Sequence, residues 1–521
     1  MIGFHIDMNI AQFTRDYLAK WLQLLAELGY DTIIWEVENN VRWKTCPECS
    51  SPDAFSAEEF REIIDLSRSL GLEPVPLLQT IAHAEYVLKH EPYSHLAEVP
   101  GEIRQYCPQS EELIPFLHRW IAEYLEVFGD VRFFHLGADE AWWMGQCAKC
   151  RAYVQEHSVS DLYINHVSAV AAPLIAGGIT PIVWADMILH HNEAIDKMPR
   201  EVMLFDWNYD IHHGMGKVWV WGKEWFADDD IGPEVLEDFG AYLFPAGDEP
   251  GRHPETFYTA DFLADKGFRT VTCPSSSSYG DNVFSPRNWY HMINTWDSCR
   301  KGLLGKLEGS VLTSWTVHLH PWELQLAPIE MAPFVQRHPN AAIADFQADF
   351  TERHFGEKDD RFWRACGLLS KRCLLTHTAS LGFDKAALPV ESGHAAATVD
   401  RLRREGRLEE ELANVGARLK EYETAAAIFD ELAGSAVEGR DLIELWHLAA
   451  RALAVRARSA GLLLAAAAGH VAGAQDALAA ERELRGEYDR LWDGIIRPAR
   501  CREMLAWTFD SVEAALLELI R

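Results

Sequence analysis

Short apolar runs alternate along the first part of the chain with longer segments whose apolar residues recur every three or four positions. The short runs predict buried strands and the longer segments predict amphipathic helices, such as the stripe Leu18, Trp21, Leu22 and Leu25 closed by Gly29. The runs that predict strands are residues 2–8, 32–38, 73–79, 133–139, 181–186, 202–207, 269–273 and 310–315.

Polar and aromatic residues stand at the C-terminal ends of these predicted strands. In a barrel those ends surround one site, whereas a doubly wound sheet would spread them along an edge. We therefore predict an α/β fold, a (β/α)8 TIM barrel. The strand-end residues are Asp7, Glu36, Glu38, Gln79, Asp139, Glu140, Trp184, Asp186, Trp207 and Trp315.

The composition changes near residue 346 to alanine, leucine, arginine and glutamate with few glycines. Segments 402–432 and 442–464 have the spacing of amphipathic helices. We predict a catalytic barrel over residues 1–345 and an all-helical C-terminal domain over residues 346–521. The sequence of the helical domain contains no candidate catalytic motif. An oligomer contact and a wall against the barrel are both compatible roles for it.

The strongest candidate for catalysis ends the fourth predicted strand, where the chain reads His-Leu-Gly-Ala-Asp-Glu-Ala-Trp-Trp. Neighbouring side chains on a strand point to opposite faces, so Asp139 and Glu140 reach one ligand only if the strand turns between them. A solvated acidic turn is the plain alternative. The flanking His135, Gly137 and paired tryptophans favour an active-site rim.

His-Leu-Gly-Ala-Asp-Glu is similar to the His-x-Gly-x-Asp-Glu signature of glycoside hydrolase family 20, the β-N-acetylhexosaminidases, and the chain resembles their hexosaminidase D-like branch. The resemblance implies an exo-acting, retaining hydrolase in which Glu140 is the general acid and base. Asp139 would orient the substrate's 2-acetamido group, whose oxygen attacks the anomeric carbon to give an oxazolinium ion, so catalysis needs no cofactor. Burial against Trp142 or Trp143 would keep Glu140 protonated.

The resemblance also implies a walled pocket for the acetamido group, built from tryptophans at later strand ends. Trp184, Trp207 and Trp315 hold the matching positions, and a core role is the alternative for each. Tyr209 and Asp210 follow where the family places a tyrosine for the amide oxygen and a carboxylate for sugar hydroxyls. The spacing leaves open whether Trp207 or Tyr209 takes the tyrosine position.

His83 lies in a segment similar to the loop that carries a histidine near the acid in the family. It would then meet a carboxylate of the second strand, Glu36 or Glu38, and a purely structural histidine is the alternative. Asp186, at the end of the fifth strand, is counted with Glu36 among the substrate-binding residues.

Two family features are missing. No basic residue follows the first strand at residues 7–9, and the glutamate often found two residues beyond the last-strand tryptophan is Val317. His318 and His320 lie nearby as substitutes. The choice between gluco and galacto sugars stays open.

Two Cys-x-x-Cys pairs follow the second and fourth strands, so the barrel would bring both to the same face. Thiolates with two-residue spacers suit tetrahedral Zn²⁺. We predict a structural zinc site at Cys46, Cys49, Cys147 and Cys150, with free thiols or redox pairs as the alternatives.

The net charge is −31, from 79 acidic and 48 basic residues, so nucleic acid and anionic membranes would be repelled. The expected partner is a small-molecule or oligosaccharide substrate with a terminal N-acetylhexosamine, and a homo-oligomer is compatible with the sequence. No charged and then apolar leader precedes the first strand, which predicts a cytoplasmic protein.

Two other functions remain open at this point. In a metal-dependent barrel hydrolase, His5, Asp7, His83, His135 and Asp139 would converge as ligands. In a catalytically silent sugar-binding barrel, the aromatic pocket would bind glycans without hydrolysing them.

Overall fold

The computed structural model describes residues 1–209, 211, 212, 214–221, 223–227, 230–245, 253–318, 320–381, 393–436, 438–470 and 472–521. A strand lies in every segment where an apolar run predicts one. These strands are β1 Ile2–Asp7, β2 Thr32–Glu36, β3 Glu73–Leu77, β4 Phe133–His135, β5 Thr180–Trp184, β6 Met203–Trp207, β7 Thr270–Cys273 and β8 Gly309–Ser314.

The sheet closes on itself. Each strand pairs in parallel with the next, and β8 returns to pair with β1 from Ile2 opposite Ser310 to Ile6 opposite Ser314. Closure confirms the predicted (β/α)8 barrel and excludes the doubly wound sheet. The C-terminal ends of all eight strands therefore surround one opening.

Side chains fill the barrel, so its interior is a packed core and not a channel. Successive residues of a strand point to opposite faces, and outward neighbours such as Ile33 and Leu204 join the larger core beneath the helices. The apolar residues of the inward set are Ile34, Val75, Leu77, Phe133, Ile182, Trp184, Met203, Phe205, Val271, Cys273 and Val311.

The barrel helices begin and end where the sequence supplies caps. The first begins after Thr14, whose side chain accepts the N–H of Tyr17, and ends at Gly29 with φ 103°. The predicted capping box of Ser56 and Glu59 is present. The α-helices up to residue 337 are Arg15–Leu28, Ala57–Ser69, Glu85–Leu88, Leu113–Phe128, Ala148–Glu156, Val159–Ala176, Asp186–His190, Pro233–Leu243, Tyr258–Asp265, Asn288–Leu304 and Leu326–Arg337.

Short strands and 3₁₀-helices lie in the loops between the barrel elements. The sequence did not predict the antiparallel hairpin of strands Lys217–Trp219 and Trp225–Ala227, nor the edge strand Ser275–Ser277 that pairs with β8. Short 3₁₀-helices lie at Glu38–Asn40, Pro47–Cys49, Glu91–Leu96, Asn192–Lys197 and Trp322–Gln325.

The C-terminal part is helical, as its composition predicts. It contacts the barrel loops directly: Arg497 Nη2 donates to Asn40 Oδ1 at 2.6 Å, and the N–H of Val283 donates to the carbonyl of Thr376 at 2.8 Å. The domain boundary at residue 346 stays a prediction. The helices are Ile343–Phe355, Asp360–Leu368, Thr378–Leu381, His394–Arg404, Leu408–Ser435, Arg440–Ala467, Ala474–Trp492 and Pro498–Ile520.

One helix among the described residues, Val159–Ala176, is long and apolar enough in composition to cross a membrane. Half of it is buried, and it packs against helix Leu113–Phe128 and strand β5. Those contacts are the ones that a barrel helix makes.

Candidate active site

A cavity of about 560 Å³ lies over the C-terminal ends of the barrel strands. Its lining includes side chains from the end of β6 and from the segments that follow β3, β4, β6 and β8, so strand-end residues far apart in sequence meet at one site. They are His83, Asp139, Glu140, Trp207, Tyr209 and Trp315.

The turn after β4 has a backbone conformation that few residues adopt. Gly137, Ala138 and Glu140 have φ values of 62°, 68° and 50°. A Cβ on Gly137 would lie 1.9 Å from Oε1 of Gln79 and would displace that side chain, so the position favours glycine. Left-handed conformations of other residues cost about 1 kcal/mol or more each and are concentrated at functional sites. The strained turn directs both Asp139 and Glu140 to the cavity.

One histidine lies against both acids. His83 Nε2 is 3.1 Å from Oδ2 of Asp139 and 3.4 Å from Oε2 of Glu140. Burial disfavours an imidazolium, but the two carboxylates outweigh it and raise the pKa of His83 well above its ordinary value. His83 is therefore a cation at neutral pH and balances part of the negative charge of the pair.

The predicted carboxylate partner of His83 is wrong. Glu36 lies in the barrel interior, where it is 3.0 Å from His5 Nε2 and accepts Nε2 of Gln79 at 2.9 Å. The Glu36 side chain at the end of β2 points into the barrel, whereas His83 lies in the loop that follows β3. The acids that His83 meets are consequently those of the β4 turn, and neither Glu36 nor Glu38 lines the cavity.

The two acids have different surroundings. Asp139 is 7% exposed, and its Oδ1 is buried with no hydrogen-bond partner among the described residues. The Glu140 side chain is 43% exposed. A buried carboxylate oxygen without a donor is costly, so a bound N–H at Oδ1 of Asp139 would be favourable. Glu140 can exchange a proton with a ligand or with water.

Asp186 positions this pair and does not line the cavity. Its Oδ2 accepts the main-chain N–H of Glu140 at 2.9 Å, and its Oδ1 accepts Nε1 of Trp207 at 3.3 Å. Burial, with a contribution from the charge of Asp139, raises the pKa of Asp186 well above its ordinary value. The predicted substrate contact of Asp186 is thus replaced by a link between the acid turn and an aromatic wall.

Aromatic rings form that wall. Trp207 stacks on Tyr209 with ring centroids 5.0 Å apart, and Tyr209 lies 6.1 Å from Trp315. The Tyr209 hydroxyl and Trp315 Nε1 complete no hydrogen bond of normal geometry within the described part of the chain. Burial raises the pKa of Tyr209 well above its ordinary value, so the hydroxyl keeps its proton and can donate it.

Comparisons with known proteins show the family to which the chain belongs. The model of the Glycosyl hydrolase family 20 catalytic domain matches residues 32–218. Hexosaminidase D of Bos taurus is 30% identical over 243 residues, which cover 43% of this chain and 70% of that protein. The chain belongs to glycosyl hydrolase family 20. Hexosaminidase D of Homo sapiens is 30% identical over 231 residues, which cover 42% of this chain and 47% of that protein.

Family 20 membership makes the chain a glycoside hydrolase of the hexosaminidase type. Among solved structures, the beta-N-acetylhexosaminidase of Bacteroides fragilis gives a TM-score of 0.46 at 16% identity over 64% of each chain. The chitobiase of Flavobacterium johnsoniae gives 0.48 at 13% identity over 99% of this chain and 78% of that one. These two likenesses are too distant to bear on the site.

The remaining aromatic predictions for the family 20 site have mixed outcomes. Trp184 does not line the cavity but is fully buried below it, 5.8 Å from Trp315. Trp142 is 46% exposed and packs on His190, while the Trp143 ring lies under Arg104. The expected indole cover of Glu140 is therefore wrong. Asp210 lies outside the described residues.

The far wall of the cavity contains residues that sequence reasoning missed. Lys217 and Trp225 come from the hairpin, Arg287 and Tyr290 from the chain beyond β7, and Arg372 from the helical part. The cluster of tryptophans around residue 221 was a signal for the hairpin. Nothing local marked Arg372, because its segment reaches the cavity only through the packing of helices on the barrel.

Asp281 organises the loop beyond β7. It accepts the N–H of Ser278 at 3.0 Å, Nε of Arg287 at 3.0 Å and Nε2 of His291 at 2.8 Å. Burial opposes its charge, but His291 and Arg287 hold the pKa of Asp281 well below its ordinary value. This buried carboxylate fixes Arg287 in the cavity wall.

His318 and His320 do not replace the missing sugar-binding residues. Both are buried, and neither lines the cavity, whereas Val317 does. His320 is 2.8 Å from the carbonyl of Asn282 through Nε2. Burial lowers the pKa of His318 to about 3 and that of His320 to about 4, so neither carries charge at neutral pH.

The predicted set of zinc ligands does not assemble. Cys46 and Cys49 form a disulfide with each other. Cys107 instead lies with its Sγ 3.6 Å from that of Cys147 and 3.6 Å from that of Cys150. The predicted site is corrected to a group of three cysteines. Cys107 stands alone in sequence, so no spacing pattern could include it.

The ligands of the metal-hydrolase alternative are not brought together either. His5 contacts Glu36, and Asp7 accepts the N–H of Thr316 at 2.9 Å. In the described part of the chain, the three cysteines are the only cluster of at least three His, Cys, Asp or Glu side chains close enough to share an ion.

Proposed function

We propose that this family 20 chain is an exo-acting β-N-acetylhexosaminidase. It would remove terminal N-acetylglucosamine or N-acetylgalactosamine with retention, with the substrate's own amide as the nucleophile. The observation that carries the proposal is the buried Oδ1 of Asp139, which has no donor among the described residues and lies beside Glu140. An acetamido N–H is the donor that this oxygen needs.

Glu140 is the general acid and base of the proposed reaction. Its side chain is 43% exposed, so it can meet the glycosidic oxygen and, later, a water molecule. As the acid it gives its proton to the leaving oxygen, and as the carboxylate it takes a proton from the attacking water. The hydrogen bond from its main-chain N–H to Asp186 keeps it in place through both steps.

Asp139 acts on the amide. It accepts the acetamido N–H, which turns the carbonyl oxygen toward the anomeric carbon. As that bond forms, positive charge develops on the amide nitrogen, and the carboxylate stabilises the oxazolinium ion. The Tyr209 hydroxyl, which remains protonated, is placed to donate to the amide oxygen from the aromatic wall.

Exo specificity is part of the proposal, and the packing beneath the cavity supports it. Trp315 lines the cavity, and Trp184 is fully buried in the barrel interior 5.8 Å from it. A sugar whose acetamido group lies against Trp207 and Trp315 would meet this packed interior on that side. One terminal sugar would then be the unit removed.

Ser370 and Arg372 of the helical part of the chain line the cavity. Tyr290 and Ser370 also line a second cavity of about 490 Å³, whose walls include Trp289 and Trp363. Aromatic faces stack well on sugar rings. We therefore propose that the group released is an oligosaccharide whose inner residues lie along a groove formed by these two cavities, which share Tyr290 and Ser370.

The test is turnover of three aryl glycosides: the 2-acetamido-2-deoxy-β-glucoside, its galacto epimer and the plain β-glucoside. The proposal expects cleavage of at least one acetamido sugar, with the β anomer released first, and no comparable cleavage of the plain glucoside. The ratio of the two epimers decides the gluco or galacto preference. Equal cleavage of the plain glucoside would overturn the mechanism, and binding of all three without turnover would favour the silent sugar-binding barrel.

A further inference from the structure

Three cysteine thiols from two different loops converge outside the active-site cavity. Cys107 lies between β3 and β4, Cys147 immediately precedes helix Ala148–Glu156, and Cys150 is in the first turn of that helix. The Cys107 Sγ is 3.6 Å from each of the other two, and all three sulfurs lie within 4.8 Å of one another. Cys107 and Cys150 are buried, and Cys147 is half-buried.

These distances have a chemical meaning. A disulfide needs sulfurs about 2.05 Å apart, so none of the three is bonded to another. Zinc–sulfur bonds of about 2.3 Å in a tetrahedron place neighbouring sulfurs about 3.8 Å apart. The two measured sulfur–sulfur distances are close to this value. An ion can therefore bind with little movement of the backbone.

The surroundings hold the thiols in position. The N–H of Cys150 donates to Sγ of Cys147 at 3.2 Å. The buried carboxylate of Glu98 accepts the N–H of Gln146 at 2.6 Å and that of Cys147 at 3.3 Å. Gln105 donates to Glu98 and accepts the N–H of Trp143. Such outer contacts orient metal ligands in proteins.

We propose that Cys107, Cys147 and Cys150 bind one soft divalent cation, Zn²⁺, as three thiolates. Cys147 is the most accessible of the three, so a water molecule or a small thiol reaches the fourth corner from its side. The ion joins the loop that carries His83 to the segment that begins at Asp139 and Glu140. It is therefore a structural clamp that holds the acid turn and does not take part in the reaction.

The experiment uses the full chain, purified under reducing conditions without chelator. Elemental analysis should find about one zinc per chain. The protein freed of metal and titrated with Co²⁺ should develop an intense thiolate-to-cobalt charge-transfer band that saturates at one equivalent. Absence of both bound metal and this band would overturn the proposal, as would a disulfide among these cysteines in the reduced protein.

Variants identify the ligands. Cys107→Ser and Cys150→Ser should each weaken Co²⁺ binding at least about tenfold. The double change of Cys46→Ser with Cys49→Ser should leave the cobalt band unchanged, as should Cys501→Ser. Loss of the band in the double variant with retention in Cys107→Ser would place the site at the reduced thiols of Cys46 and Cys49 instead.

A second measurement uses no variant, so it does not depend on whether the serine variants fold. In the unmodified protein, Zn²⁺ should slow alkylation of Cys107, Cys147 and Cys150 together, as followed by mass spectrometry, and leave Cys501 unaffected. Equal alkylation with and without zinc would contradict the site. Neither readout depends on hydrolysis, so the metal site and the proposed activity can fail separately.

Discussion

The two walls of the active-site cavity are built in different ways. The acid wall comes from one short stretch, residues 137–140, fixed by a left-handed backbone and by Asp186. The far wall is assembled from the hairpin with Lys217, the chain beyond β7 with Arg287, and the helical part with Arg372. The chemistry is thus encoded locally, whereas recognition of the rest of the substrate depends on how distant segments pack.

This comparison separates two kinds of kinetic effect. A change in the acid wall should lower kcat for every substrate, because the same proton transfer and amide attack occur in all of them. A change in the far wall should act mainly on KM, and only for substrates long enough to reach it.

The largest effect is expected for Glu140→Gln. Loss of the general acid should lower turnover of substrates with poor leaving groups by about two orders of magnitude or more. Aryl glycosides with very acidic leaving groups should suffer less, because their departure needs little proton donation. Glu62→Gln, at an exposed carboxylate on the outer helix Ala57–Ser69, is the control. Equal loss on both kinds of substrate would remove Glu140 from the acid role.

Asp281→Asn tests the organisation of the far wall. It keeps the side chain's shape but removes the charge that holds Arg287 and His291, so the wall should loosen. We expect KM for an oligosaccharide substrate to rise about tenfold, equivalent to about 1.4 kcal/mol, with kcat nearly unchanged. Steady-state kinetics check this, and a fall in kcat at constant KM would place Asp281 with the acid wall instead.

A smaller effect is expected for Trp289→Ala. The indole is 37% exposed in the second cavity, where stacking on a sugar ring is worth about 1 kcal/mol. The ratio kcat/KM should fall several-fold for an oligosaccharide and stay unchanged for an aryl monosaccharide. Leu412→Ala, at an exposed apolar residue of the helical part, serves as the control. Equal losses for long and short substrates would show that the groove does not hold the released sugar.

The smallest effect concerns stability and pH, through His83→Gln. The pKa of His83 is raised in the folded chain, so its pairing with Asp139 and Glu140 stabilises the fold most below the ordinary histidine pKa of about 6.5, while the carboxylates remain ionised. The contribution is lost as pH rises through the raised pKa. The difference in urea midpoint between the unmodified chain and the variant should therefore shrink toward alkaline pH. A difference that does not change with pH would mean that His83 is not charged.

The sequence predicted the features that depend on residues close together in the chain. Buried parallel strands are continuous apolar runs, so all eight barrel strands could be placed, and the acid turn was visible because its residues are adjacent. Whether a strand-end side chain enters the cavity depends on twist and tilt. For that reason Trp207 and Trp315 line the cavity, while Trp184 and Glu36 belong to the interior below it.

Contacts between distant segments were beyond the sequence patterns. The partners of His83 are set by a loop that folds over the barrel, and Cys107 joins Cys147 and Cys150 without any spacing motif. Arg372 reaches the cavity only because the helical part packs on the loops beyond β7. No periodicity along the chain carries such information.

The central claim is that the substrate's amide, held by Asp139, is the nucleophile. The most direct test is the hydrolysis rate of aryl glycosides whose acetyl group carries one, two or three fluorines, since fluorine makes the carbonyl oxygen a poorer nucleophile. The account predicts a steep fall in rate along this series for the unmodified enzyme and a much flatter series for Asp139→Asn, which lacks the charge that stabilises the oxazolinium ion. A flat series in the unmodified enzyme would contradict it.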